Sequence, residues 1–110
     1  MKYIKTFESL NGVTFKKWLS NNPQDINTTE INVGYQNLID LNGIENFKNL
    51  KILYCTYNKL TELPDLSNLN NLKFLDCYDN KLPYNNLSEY LEWHKKNFPW
   101  IWDAKKYNLF

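Results

Sequence analysis

The chain has 110 residues, 43% of them hydrophobic and 23% charged, with a formal net charge of +1. That length makes one domain with a modest core, and a charge so near zero excludes a strong field for nucleic acid or an acidic membrane surface. No apolar run reaches the roughly 18 residues a membrane-spanning helix needs.

Residues 1–27 come first. Tyr3, Ile4 and Phe7 are apolar and Gly12 allows a turn. No uninterrupted apolar stretch with a small-residue cleavage site is found, so no signal peptide is expected and the protein is assigned to the cytoplasm. Thr14 is placed to cap a short helix carrying Phe15, Trp18 and Leu19 on one face, which Asn21-Asn22-Pro23 would end. Two readings fit this helix. It is a docking element, or it shields the open edge of the first strand; the shielding reading is preferred, because the ends of stacked structures need covering.

From residue 28 to 86 the chain copies itself. Leu50, Leu53, Cys55, Asn58 and Leu60 recur as Leu72, Leu75, Cys77, Asn80 and Leu82. A weaker copy precedes them, with Thr28, Ile31, Val33, Gln36 and Leu38 at the same places. Within each unit Leu53-x-Cys55 and Leu75-x-Cys77 alternate with the period of a strand. A strand so short cannot bury its apolar side alone, but stacked copies cover one another. Asn58 and Asn80 follow the strands where the chain must turn, and an inward amide there can bond backbone groups of adjacent coils, an asparagine ladder. Leu41, Ile44, Phe47 and Leu50 are spaced by three, as are Leu63, Leu66, Leu69 and Leu72. That spacing suits 3₁₀ or irregular return segments, and Pro64 forbids a long helix.

Copying fails after Leu82. Residues 87–97 read as a helix with Leu87, Tyr90, Leu91 and His94 on one face, Glu89 and Glu92 early and Lys95 and Lys96 late, an order that suits the helix dipole. Phe98-Pro99 is expected to stop it. Trp100, Ile101, Trp102, Tyr107, Leu109 and Phe110 then form an aromatic tail, read either as an exposed binding patch centred on Trp100 and Trp102 or, preferably, as a lid over the third coil.

The unit L-x-x-L-x-C-x-x-N-x-L closely resembles the leucine-rich repeat. The resemblance implies an α/β solenoid: a short right-handed coil with a small parallel sheet on its concave face, a helical cap at residues 1–27, repeats at 28–86 and a helical, aromatic cap at 87–110, all one domain. It also implies a non-enzymatic protein-binding role exercised through the concave sheet. The 18 asparagines and 13 lysines beside no arginine suggest an AT-rich genome. Small asparagine-rich members of this style are similar to those of large DNA viruses, phages and AT-rich bacteria.

The residues for chemistry are few. Cys55 and Cys77 sit at inward places on neighbouring strands, within reach of a disulfide by distance, but reduced buried thiols are the preferred reading. His94, the sole histidine, lies on a helix away from them, and no metal-ligand spacing, phosphate loop or nucleophile motif occurs. Asp76 and Asp79 alone make a poor cation site. No enzyme activity, metal or cofactor is expected.

Side chains beside the inward places must point outward. The candidate binding residues are therefore Asn32 and Tyr35 beside Gly34, then Tyr54, Thr56 and Tyr57, then Asp76, Tyr78 and Asp79. Tyrosine offers wide contact with a polar tip at low entropic cost; it is also simply a good strand residue. The expected partner is a protein, with no nucleic acid and no membrane, and the chain is expected to be a monomer. A viral or phage inhibitor of a host defence protein and a self-associating structural subunit are the alternatives. Three short strands offer only a few hundred Å², below the roughly 800 Å² per partner of a standard interface, so flanking segments would have to contribute.

Overall fold

The computed structural model describes residues 12–106. Tyr3, Ile4, Phe7, Tyr107, Leu109 and Phe110 lie outside the described residues. Three strands, β1 (Glu30–Asn32), β2 (Ile52–Tyr54) and β3 (Phe74–Asp76), form one parallel sheet in chain order. Ile31 pairs with Leu53 and Leu53 with Leu75, so equivalent places of successive units stand side by side. These three side chains are at most 1% exposed, and Val33, Cys55 and Cys77 are fully buried one place further on. Each buried aliphatic side chain of this size contributes about 1.5–3 kcal/mol, and none could be covered within its own unit.

The backbone repeats the same bonds from coil to coil. Val33 N–H donates to Tyr54 O at 2.8 Å and Cys55 N–H to Asp76 O at 2.8 Å; Tyr35 N–H donates to Thr56 O and Tyr57 N–H to Tyr78 O, both at 3.0 Å. On the far side of the turn, Lys59 N–H donates to Leu38 O and Lys81 N–H to Leu60 O, both at 2.8 Å. The return segments are a single 3₁₀ turn, Ile44–Asn46, in the first unit and irregular turns in the second. Leu41, Ile44, Phe47, Leu50, Leu66 and Leu69 are buried beneath them.

Ahead of the sheet, helix α1 (Phe15–Asn21) begins at Thr14, whose hydroxyl accepts from Lys17 N–H at 3.1 Å. Phe15 is fully buried and meets Phe47 edge-on. Val13 runs parallel to Leu38, donating to Asn37 O at 2.7 Å and accepting from Ile39 N–H at 2.9 Å. Asp40 Oδ1 accepts from Phe15 N–H at 3.1 Å and so ties the start of α1 to the first coil. Gly12 has φ 122° and lies against Ile39, where any side chain would collide.

Beyond β3 the chain turns back. Asp76 bridges Asn86 in antiparallel fashion, and Cys77 N–H donates to Asn85 O at 3.0 Å, so the outer edge of β3 is covered. Helix α2 (Leu87–Asn97) starts with a reciprocal cap: Asn86 Oδ1 accepts from Glu89 N–H, and Glu89 Oε1 accepts from Asn85 N–H, both at 2.9 Å. Phe98 caps the end of α2, where Phe98-Pro99 is expected to stop it. Pro99 opens another helix, α3 (Pro99–Lys106), because proline lacks only an N–H that the first helical turn leaves unbonded anyway. Tyr84, buried ahead of α2, meets Tyr90 and Trp93 edge-on at 5.0 and 5.2 Å.

Candidate functional site: the exposed face of the sheet

Strand alternation and register arrange the outward residues in rows across the three coils. The first row is Glu30, Ile52 and Phe74; the second is Asn32, Tyr54 and Asp76. Beyond the strand ends the ladder continues through Gly34, Thr56 and Tyr78, then Tyr35, Tyr57 and Asp79. The first row was missed by reasoning that took outward places only on the C-terminal side of Leu53 and Leu75. The residue before an inward leucine must also point out, and Phe74 is 44% exposed.

Each row has its own local chemistry. Asn32 Oδ1 accepts from Gly34 N–H at 3.0 Å and Asp76 Oδ1 from Tyr78 N–H at 3.4 Å, so both side chains bend the chain out of the strand. Tyr54, half-buried, lies against Phe74 with centroids 5.4 Å apart. Thr56 is half-buried beside Gly34, where a Cβ would stand 3.1 Å from its hydroxyl.

Tyr35, Tyr57 and Asp79 depart from the expectation of strand residues. Their φ values are 60°, 54° and 59°, in the left-handed region, because this is where every coil leaves the sheet. The region suits glycine or asparagine and costs a bulky residue on the order of 1–2 kcal/mol. The rings of Tyr35 and Tyr57 nevertheless stack, with centroids 4.7 Å apart and planes 12° apart. Tyr35 is 72% exposed, Tyr57 53% and Tyr78 47%.

Behind this face the turn amides hold the coils together. Asn58 Oδ1 accepts from Gln36 N–H and Leu38 N–H, while its Nδ2 donates to Val33 O, Cys55 O and Thr56 O, all within 2.9–3.2 Å. Asn80 Oδ1 accepts from Leu60 N–H, and its Nδ2 donates to Cys55 O, Cys77 O and Tyr78 O. Gln36, one methylene longer, donates to Gly34 O in its own coil.

The other candidates separate. Trp100 is 63% exposed. Trp102 is half-buried and engaged: its indole N–H donates to His94 Nδ1 at 2.9 Å, and Lys95 Nζ lies 4.9 Å over its ring. His94 is buried, with Nε2 3.1 Å from Asp65 Oδ1. Accepting at Nδ1 places the proton on Nε2, facing the carboxylate. The sequence offers no sign of this contact, since Asp65 lies in a return segment far from α2. A cavity of about 160 Å³ adjoins it, lined by Glu62, Leu63, Tyr90, Trp93, Phe98 and Ile101 among others. Cys55 and Cys77 are buried free thiols. A hydrogen bond to Cys77 that favours the neutral thiol, then burial, pushes Cys55 well above its ordinary pKa. That favours the protonated thiol over the nucleophilic thiolate.

Comparison with known proteins places residues 48–91 in a family model described as leucine-rich repeats, in two copies. No match to a curated protein or to a solved structure was found. The matched span contains β2, β3, both ladder asparagines and the start of α2 as far as Leu91. With the parallel sheet and the coil-to-coil bonding on those residues, residues 48–91 carry two leucine-rich repeats.

Proposed function

We propose that the chain is a protein-binding module without catalytic activity, which engages a protein partner through Asn32, Tyr35, Tyr54, Thr56, Tyr57, Asp76, Tyr78 and Asp79, with Phe74 added. Leucine-rich repeat domains commonly mediate protein–protein interaction, and the exposed face offers what such a contact needs. The observation that carries the reading is the row of solvent-facing rings. Tyr35 and Tyr57 remain exposed although their backbone conformation is one in which glycine or asparagine would be cheaper. A ring kept there at a conformational cost is better explained by contact with a partner than by strand propensity, since neither residue lies within a strand. On this reading the flanks, residues 1–27 and 87–110, close a short solenoid within a single domain and widen the contact surface through Trp100. The module acts as a cytoplasmic monomer. The covered edge of β3 weighs against self-association at that end.

The test is capture of partners by the immobilised protein, repeated with Tyr57→Asn and Tyr54→Ala. Asparagine is at ease in the left-handed region, so Tyr57→Asn removes the ring while leaving the melting temperature about unchanged. Loss of the captured partner in these variants supports the face. Retention of capture in every face variant would show that binding lies elsewhere.

A further inference from the structure

The charge on the exposed face is one-sided. Its four rows hold Glu30, Asp76 and Asp79 and no lysine, although the chain has 13 lysines. The lysines nearest in sequence flank the rows: Lys51 and Lys73 precede the first, and Lys59 and Lys81 follow the last. A face that carries acids among rings repels phosphates and attracts cations.

Within this face one position is more specific. The last row runs Tyr35, Tyr57, Asp79, all three in the same backbone conformation. The first two places are filled by rings stacked nearly parallel. The third is filled by a short carboxylate. Among the described residues no ring covers the other side of Tyr57, which is 53% exposed. Neighbouring coils are about 4.8 Å apart. A flat cation could therefore continue the ring stack over Tyr57 while turning its N–H groups to Asp79. Guanidinium fits both demands: it is planar, it stacks on aromatic faces, and it donates in a fork that matches a carboxylate. An ammonium meets only the charge. The chain has no arginine of its own to fill the place.

Resting on the reading of this face as the contact surface, we propose that the partner is a basic protein segment, and that an arginine side chain of it seats against Tyr57 with its guanidinium on Asp79. Asp76 and Glu30 then favour further basic residues along the segment.

The experiment is selection of a random displayed peptide library on the intact protein, followed by affinity measurement of the selected peptides on Asp79→Asn and Tyr57→Asn. Both substitutions suit the left-handed turn and leave the fold in place. The expected result is enrichment of arginine, affinity lowered at least about tenfold by Asp79→Asn, and a similar loss when the peptide's arginine is changed to lysine. Arginine-rich peptides that bind Asp79→Asn equally well would overturn the proposal. So would peptides without basic enrichment that nevertheless lose binding to Tyr57→Asn; that outcome leaves the face as the contact surface and removes only the arginine. Peptides indifferent to both substitutions would overturn the arginine proposal and the face together. A selection that enriches nothing overturns the proposal as well.

Discussion

Asn58 and Asn80, one coil apart, donate to the same carbonyl: Cys55 O accepts from Asn58 Nδ2 at 3.0 Å and from Asn80 Nδ2 at 2.9 Å. Either amide alone keeps that oxygen bonded. Asn58→Ala should cost about 1–3 kcal/mol through the N–H groups of Gln36 and Leu38 and the carbonyl of Val33, and Asn80→Ala somewhat less. The double variant should lose more than the sum, because only then is Cys55 O deprived of both amides. Urea unfolding of the four proteins in the cycle measures the excess; strict additivity would mean that the shared carbonyl finds another donor.

Tyr90 ties α2 to the second return segment, its hydroxyl accepting from Leu66 N–H at 3.0 Å. Burial raises its pKa to about 12, and burial likewise pushes Tyr84 up. The folded state thus holds both phenols neutral, while the unfolded chain ionises them near pH 10. Their contribution is complete below about pH 10 and is lost as pH climbs toward about 12. The urea midpoint should fall across that window, and Tyr90→Phe should flatten the fall while lowering stability at neutral pH by about 1–3 kcal/mol. Midpoints followed by circular dichroism over the range decide it; equal slopes for the two proteins would contradict the assignment.

His94 joins α2 to α3 through Trp102 and to the second coil through Asp65. His94→Ala should destabilise by about 1–3 kcal/mol, since it orphans a partly buried indole donor. It should also speed hydrogen exchange of the Trp102 indole, read by nuclear magnetic resonance. An unchanged exchange rate would mean that the indole finds another acceptor.

The two thiols should resist modification in the native state. Cys55 and Cys77 are fully buried, and the Cys55 thiol is held protonated. A thiol-specific reagent should react with neither until denaturant is added, then with both. Reaction at neutral pH without unfolding would show that the inner row opens readily.

How much of this was legible in the sequence differs from residue to residue. Leu53 and Leu75 could be paired on neighbouring strands from the repeat alone, because a repeat fixes register as well as fold. The cap at Thr14 and the span of α2 followed from local chemistry alone. Tyr57 and Asp79 were found as outward residues, but alternation does not show where a strand ends, so their left-handed backbone was invisible. Pro99 is equally at home after a helix and at the start of one, and only packing decides between them. Tyr84 and the Asp65–His94 contact lie where copying has stopped, and without a repeated pattern nothing in the chain announces a long-range neighbour.

The uniform bonding between coils carries one more consequence. Since β2 pairs with β1 as β3 pairs with β2, an interior unit meets the same backbone pattern on both sides and is interchangeable in register. A duplicated middle unit could be spliced between the existing ones without disturbing either end. The exposed face of the sheet would then broaden by one strand at a time, so its breadth is set by copy number and not by redesign of the interior.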